Sequence, residues 1–326
     1  MATVDKKNLF MIMCHKNLSQ VSRLLKHLIT SRSDVVLHID ASVPDEEYKA
    51  FVEEHKTTDN LYIADKRIKG ILDDRTLVDI VFIMLDCVKS KGPDYQYYAL
   101  LSGQDYAIKP IDTINTSLDS SYPKPYIDCT AYDPDNWIYY KFRIKRSPRL
   151  RKTERGIKDR FGKNKLIKKP LLTGVKVLKK TVSVLGKSPY KALTGAGVEL
   201  YGGSAWWILP DTAIDHIYTE YKNRTKIVRD LLVSYTPEET FFQTMAMRSP
   251  VKELIEINPK DCIAQNCMTW AYFFDDDKPF MGHPYVFTED DFPKLKAAHQ
   301  WFARKFDITI DERIIELIDE NLLRKK

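Results

Sequence analysis

Glu238 and Glu239 close the tetrapeptide Thr-Pro-Glu-Glu (236–239), and Arg304-Lys305 lies inside Trp-Phe-Ala-Arg-Lys-Phe-Asp (301–307). A carboxylate held at a fixed point can take the proton from a hydroxyl nucleophile. Adjacent cations can stabilise negative charge that develops on a leaving group. Two indoles, Trp206 and Trp207, follow a Gly-Gly bend in ELYGGSAWWILP (199–210). Three apolar runs end in polar residues: Cys14-His15-Lys16, His38-Ile39-Asp40 and Ser102-Gly103-Gln104-Asp105. Each group also has a plainer reading. Glu238 and Glu239 complement a helix dipole, Trp206 and Trp207 pack opposite faces of a strand, and Arg304-Lys305 is a solvated helix end. The residues taken one at a time leave both readings open.

Metal chemistry has two candidate motifs. Asp133-Pro134-Asp135 and Asp275-Asp276-Asp277 both fit Asp-x-Asp, and the first is better placed because it follows an apolar run, Tyr126–Thr130. Acidic turns are common, however, and no divalent metal or other cofactor is expected. Cys262 and Cys267 form the only close cysteine pair, with no second pair or His pair to complete a zinc site. The odd total of five cysteines, mostly inside apolar runs, points to reduced thiols in a cytoplasmic protein.

The elements that must carry these residues follow from hydrophobic periodicity. Leu9–His15, Asp34–Asp40, Leu61–Asp65 and Tyr97–Ser102 are short apolar runs of the kind that buried parallel strands show. Between them, Val21, Leu24, Leu25, Leu28 and Ile29 recur at helical spacing, as do Leu77, Ile80, Val81, Met84 and Leu85. Such alternation predicts a mostly parallel sheet covered by helices on both faces. Ligands of such sheets sit beyond the carboxyl ends of the strands, which is where His15, Asp40 and Asp105 fall. Downstream, the pattern predicts a strand over 199–210, helices over 211–221 and 236–248, and an amphipathic helix over 311–323.

Charge is distributed unevenly. Residues 141–180 hold seventeen Lys or Arg and two acids, an excess of fifteen, so that in a chain of net charge +6 the remainder sums to −9. This basic insert (141–190), interrupted by Pro148, Pro170 and Pro189, is expected to be a loop with short helices. Its stretch Lys165–Ser188 mixes lysines with Val175, Leu178, Val182 and Leu185 at helical intervals, a pattern suited to an anionic membrane surface. A solvated or acceptor-covering loop is the alternative. Few aromatics interleave the charges, so nucleic acid is not the expected partner. No run reaches the length of a membrane span, and Met1 to Lys7 lacks the apolar core of a secretory leader. The expected location is therefore cytoplasmic, peripheral on the inner face of the plasma membrane.

The order of the motifs adds what no single motif carries. His15-Lys16 after the first strand, LHID (37–40), LLSGQDYAIKP (100–110), LYGGSAWWIL (200–209), TPEETFFQT (236–244) and FARKFD (302–307) together resemble the core-2/I-branching enzyme family, glycosyltransferase family 14. The basic insert and residues 251–263 match weakly. The resemblance implies an α/β, A-type glycosyltransferase fold: a Rossmann-like nucleotide-binding half (1–140), the basic insert, and an acceptor half (191–326) on a continuous mixed sheet. It implies metal-independent, inverting transfer of N-acetylglucosamine from UDP-GlcNAc to a glycan hydroxyl in β-1,6 linkage, with a lipid-linked glycan as one candidate acceptor. UDP-xylose is the alternative donor, and a non-catalytic membrane-associated glycan-binding protein the alternative class.

Residue by residue, the family's general base falls on Glu239, and Glu238 becomes its helix-capping neighbour. The diphosphate-binding lysine falls on Lys305 and the aspartate near the uridine on Asp40. A further diphosphate-binding arginine has no counterpart, since Gly282 stands at its place with His283 beside it. His283, Arg304 or the insert is left to supply that charge. Gly70–Arg75 (GILDDR) stands where the family has an aromatic-rich loop. Acceptor contacts resemble Trp270 and Tyr272, with Lys141 and Arg143 near Trp137. Trp207 is a further candidate, because a stacked aromatic such as Trp207 or Trp270 suits the apolar face of a sugar ring; core packing is the plainer reading of each.

Overall fold

A computed structural model describes residues 6–133, 153–154, 156–157, 160–161, 164–185, 189–259, 266–273 and 283–324. The expectations that rest on Pro134, Asp135, Trp137, Lys141, Arg143, Cys262, Asp275–Asp277 and Gly282 lie outside the described residues.

The apolar runs of the first third become strands β1 (Lys7–Cys14), β2 (Ser33–Ile39), β3 (Leu61–Ile63) and β4 (Tyr95–Ser102). Helices α1 (Leu18–Leu28) and α3 (Thr76–Lys91) form on the stripes read from periodicity. Two further helices, α2 (Asp45–Glu54) and α4 (Ile111–Ser121), carry weaker stripes. Strand β1 pairs parallel with both β2 and β4, so the carboxyl ends of all three lie on one edge. Their side chains alternate between two cores. Leu9 and Met11 of β1 face one, with Val78, Val81 and Leu85 of α3; Phe10, Ile12 and Cys14 face the other, with Val21, Leu24, Leu25 and Leu28 of α1. Burial on both faces explains why these strands read as unbroken apolar runs.

The sheet continues into the second half of the chain. Strands β6 (Tyr126–Ile127) and β9 (Trp207–Pro210) complete the six-stranded order β3-β2-β1-β4-β9-β6, with β9 antiparallel to its neighbours. Strand β5 (Asp105–Ala107) joins a separate three-stranded sheet, β10-β11-β5, with β10 (Thr269–Ala271) and β11 (Phe302–Arg304). A third pair joins β7 (Thr130–Ala131) to β8 (Tyr201–Gly202). This is the mixed α/β architecture expected of an A-type glycosyltransferase fold.

Three local expectations need correction. The strand over 199–210 is two strands, because the chain bends at Gly203–Trp206 between β8 and β9. The helix over 236–248 is a 3-10 turn, Pro237–Glu239, followed by a short helix, Phe241–Ala246; Thr236 sits at the start in the left-handed region (φ 49°) with no side-chain cap bond. The insert is more regular than a loop. After α4 comes α5, an unbroken helix over Lys165–Leu185 that carries Pro170 inside it, and then α6 (Pro189–Thr194). The Leu and Lys residues that flank Pro170 are good helix formers, and they carry the helix past one lost backbone hydrogen bond. The expected helix over 211–221 forms as Asp211–Lys222, and the tail forms Arg313–Ile318 with a π-turn after it. The four described cysteines, Cys14, Cys87, Cys129 and Cys267, are reduced.

Candidate active site

The carboxyl ends of β1 and β4 and the segment after β11 meet at one edge. Gly103, just past β4, permits the approach: a Cβ there would lie 2.8 Å from Cys14 Cβ and 3.0 Å from Val21 Cγ2. The buried amide of Gln20, on α1, ties the three segments together. Its Nε2 donates to the carbonyls of Gly103 (2.8 Å) and Phe306 (3.2 Å), and its Oε1 accepts from the Ile308 N–H (3.0 Å). A glutamine in a helix stripe otherwise built from Val21, Leu24 and Leu25 is the signal that sequence reading passed over.

Three cations and the His15 imidazole gather there. Arg304 faces Asp105 across the β11–β5 pairing, with Nε 3.5 Å from Oδ1. The Asp105 carboxylate is fully buried and also accepts from the Ser102 N–H (2.7 Å) and hydroxyl (2.8 Å). Burial pushes the Asp105 carboxyl up and the Arg304 guanidinium down, while their mutual attraction acts against both shifts. The other face of Arg304 covers the Trp206 ring at 4.2 Å. Asp105 is thus a positioning residue beneath the edge, closed off from a nucleotide, and Arg304 is committed to Asp105 and Trp206. Lys16 pairs with Asp307, whose carboxylate also accepts from Asn17 Nδ2 and from the Thr309 N–H and hydroxyl. Burial opposes ionisation of Asp307, yet those donors hold it well below the usual carboxylate range.

Lys305 is different. It is half-buried, and among the described residues no carboxylate comes within ion-pair distance of its ammonium. Burial, then Arg304 and Lys16, lower its pKa, with Asp105 acting against them. His15 opens to solvent, yet the protein around it and then Lys16 lower its pKa, with Lys305 and Arg304 adding to the effect and Asp40 opposing it. Mutual repulsion among these groups marks the edge as a site that favours an anion. The backbone of Lys305 is fixed by the 285–287 segment: its N–H donates to Tyr285 O (3.2 Å), and its carbonyl accepts from Phe287 (2.8 Å). His283 stands two residues before Tyr285, exposed, with Nδ1 3.2 Å from the Pro284 carbonyl.

The Asp40 carboxylate accepts from the Ser42 N–H (2.7 Å) and the Gly70 N–H (2.6 Å). Burial works against its ionisation, but these hydrogen bonds prevail and lower its pKa. Asp40 therefore anchors the start of the Gly70–Arg75 loop. The loop's far side is fastened by Glu238, whose Oε1 accepts from the Asp73 N–H at 2.9 Å. That is a correction to the helix-capping role expected of Glu238: its buried carboxylate holds the loop onto the 236–239 turn.

Glu239 is half-buried on the same turn. Its carbonyl accepts from the Gly203 N–H (2.9 Å), Gln243 Nε2 donates to the Ser204 carbonyl (2.6 Å), and the Thr244 hydroxyl accepts from the Tyr201 N–H (3.1 Å) and donates to the Tyr201 carbonyl (3.0 Å). The YGGSAWW and TPEETFFQT motifs are thus docked on one another. Gly203 holds Glu239 and Trp206 lies under Arg304. The three chain steps from Gly203 to Trp206 span at most about 10 Å, so the carboxylate turn and the cationic edge are joined by one short bend.

The expected aromatic contacts divide. Trp207 is fully buried, packed on Phe242 at 4.9 Å, because β9 turns Trp207 and Leu209 to one core and Ile208 to the other. No ring face is left for a sugar, so the acceptor role expected of Trp207 is withdrawn, and Trp206 is the indole that reaches the site. Tyr272 is also buried, stacked on Phe287 at 5.3 Å with its hydroxyl accepting from Lys294; it backs the neighbouring ring. Trp270, half-buried and 5.6 Å from Tyr272, keeps an open edge.

The family model for the Core-2/I-Branching enzyme matches residues 9–296. Xylosyltransferase 2 of Rattus norvegicus is 21% identical over 329 residues, covering 96% of this chain and 33% of that protein. Xylosyltransferase 2 of Canis lupus familiaris is 25% identical over 39% of this chain and 15% of that protein. The Beta-glucuronosyltransferase GlcAT14B of Arabidopsis thaliana is 27% identical over 38% of this chain and 26% of that protein. The chain spans about a third of the length of the rat relative, by the 33% that aligns.

Proposed function

This chain belongs to the core-2/I-branching enzyme family, glycosyltransferase family 14, and on that footing we propose that it transfers a sugar from a UDP-sugar to a hydroxyl of a glycan acceptor, with inversion and without a divalent metal. The observation that carries the reading is the pairing of Lys305, a cation without a carboxylate partner among the described residues, with the Glu239 turn at the other end of the Gly203–Trp206 bend.

In this reading Glu239 removes the acceptor hydroxyl proton as the oxygen attacks the anomeric carbon. The bond from that carbon to UDP breaks, and its electron pair goes to the diphosphate. Lys305 neutralises the charge that builds there, with Lys16 adding to the field, the His15 imidazole beside them and Arg304 holding the bend in place. Such groups speed the reaction because they meet more charge in the transition state than in the ground state. A single carboxylate opposite the leaving group gives one displacement, hence inversion. The donor we assign first is UDP-GlcNAc, with β-1,6 linkage. UDP-xylose is the second reading, favoured by the xylosyltransferase name of the rat relative that aligns over 96% of this chain.

The test is UDP release from each donor, with and without excess EDTA, in wild type and Glu239→Gln. EDTA-resistant release that collapses in the variant is expected. Release abolished by EDTA would move the chemistry to a metal and turn attention to Asp133 and Asp135.

A further inference from the structure

Helix α5 has a surface that the transfer reaction does not use. Among the described residues ten large hydrophobic side chains are exposed, and five of them, Leu166, Ile167, Leu171, Val177 and Leu178, lie on this one helix; Leu166 is 88% and Val177 60% exposed. The sequence of Lys165–Leu185 holds six lysines and no acid. At 3.6 residues per turn, the five exposed apolar residues fall within an arc of about 140°, and Lys168, Lys169 and Lys176 occupy the opposite side. Val175, 5% exposed, lies outside the apolar arc, beside Lys168, and is the helix's buried contact with the protein. The apolar arc is thus open to solvent together with Lys169 and Lys176 on the other side, where an ordinary surface helix would bury its apolar stripe.

We propose that this face of α5 docks on an anionic lipid surface, lying in the plane of the interface. The charge pattern selects that occupant. Apolar side chains would enter the acyl boundary, while lysine stems reach back to place their ammonium groups among phosphates. An apolar protein partner would leave the lysines without counter-charge, and a soluble polyanion would leave Leu166, Ile167, Leu171, Val177 and Leu178 in water. Spanning does not fit, since no helix of the described residues is long and apolar enough to cross a membrane. The helix leads toward α6, whose buried Leu193 shares a core with Tyr201 beside the Gly-Gly bend. Docking would hold the Glu239 turn near the membrane, where a lipid-linked glycan presents its hydroxyls.

Flotation of the full chain with vesicles tests this. Vesicles of phosphatidylcholine are compared with vesicles that also contain phosphatidylglycerol, at low and high salt. Wild type is expected to float with the anionic vesicles at low salt and to be released as salt rises. Replacing Lys168, Lys169 and Lys176 by Glu should weaken binding by about fivefold or more per lysine. A variant with Leu166→Ser, Ile167→Ser, Val177→Ser and Leu178→Ser should not float; these side chains are exposed and none belongs to the buried core, so UDP release from the donor should stay at the wild-type level in both variants. Absence of flotation with anionic vesicles at low salt would overturn the proposal. So would a serine variant that floats like wild type, because the surface would then read charge alone. Equal flotation with neutral vesicles would overturn the assignment of an anionic surface. None of these outcomes bears on the transfer reaction, which UDP release reports separately.

Discussion

Gly203 donates its N–H to the carbonyl of Glu239 at 2.9 Å, and a Cβ on Gly203 would lie 1.9 Å from the Asp128 carbonyl oxygen. The bend before β9 thus passes between Asp128 and the turn carrying the proposed base, and only glycine fits. Gly203→Ala must push the bend off one neighbour or the other. We expect a loss of about 3 kcal/mol in stability, the scale of overpacking in a tight interior, measured by urea denaturation. UDP release should fall further than the folded fraction accounts for, because Glu239 moves with the bend.

The Asp105–Arg304 pair yields a second prediction. Asp105→Asn leaves a buried guanidinium without its counter-charge, and removing one partner of such a pair costs about 3–5 kcal/mol. Adding Arg304→Met removes the orphaned charge and should restore much of that stability. It should not restore turnover, because Trp206 and the bend lose their cover. Thermal denaturation and UDP release on the two variants separate these effects; equal recovery of both would show that the pair only supports the fold.

Which features the sequence revealed follows from how each is encoded. Strands β1, β2 and β4 were legible because burial on both faces leaves unbroken apolar runs, and α1 and α3 because their stripes repeat at helical spacing. The order of motifs made Glu239 and Lys305 legible, while their joining through Gly203–Trp206 depends on contacts between segments distant in sequence, Gly203 with Glu239 and Trp206 with Arg304. Trp206 and Trp207 are adjacent, and only the register of β9 against β4 decides which is buried. Glu238 looked like a capping residue because its partner, the Asp73 N–H, lies 165 positions away. Pro170 suggested a break that α5 does not show, since a single proline removes one backbone hydrogen bond and leaves the rest of the helix intact.

Gln20 holds three segments with one amide, so Gln20→Leu tests how far the edge depends on it. Leucine matches the volume but leaves the carbonyls of Gly103 and Phe306 and the Ile308 N–H without their partner. A buried polar group left unsatisfied costs about 1–3 kcal/mol, so a loss of about 3 kcal/mol in all is expected by urea denaturation. Calorimetric UDP titration should show weaker binding, since Lys16 and Lys305 hang from the segments that Gln20 joins.

Lys305 should make UDP binding depend on alkaline pH. Its pKa lies below the ordinary lysine value, through burial and then Arg304 and Lys16. A diphosphate binds the protonated form, so affinity is full below that pKa and declines as pH rises through it, earlier than an ordinary lysine would dictate. Lys305→Arg should flatten the decline, because guanidinium stays charged. Lys305→Ala should lower kcat by about 100-fold or more, the range for removing one charge-stabilising donor. Calorimetric titration of UDP across alkaline pH checks the first two expectations, and donor turnover the third.

His38 should govern stability on the acid side. It is buried on β2, and its Nε2 accepts from the Ile68 N–H at 3.2 Å, which requires the neutral ring. Burial, opposed by Asp40, pushes its pKa down to about 4. The unfolded chain then binds a proton near the ordinary value of about 6.5, while the folded chain does not until about pH 4. Stability contributed by neutral His38 is therefore full above the unfolded value and is lost as pH falls between the two, by roughly 3 kcal/mol. Asp128, raised to about 6 by burial with hydrogen bonds from Cys267 and Asn266 opposing, acts in the other direction over part of that range. The His38 contribution is isolated as the difference between wild type and His38→Gln, whose amide oxygen can still accept from Ile68. Urea denaturation at stepped pH should show the variant losing less stability than wild type between about pH 6.5 and 4. Parallel curves would mean that His38 takes up its proton in the folded state as readily as in the unfolded one, which requires the Ile68 contact to open.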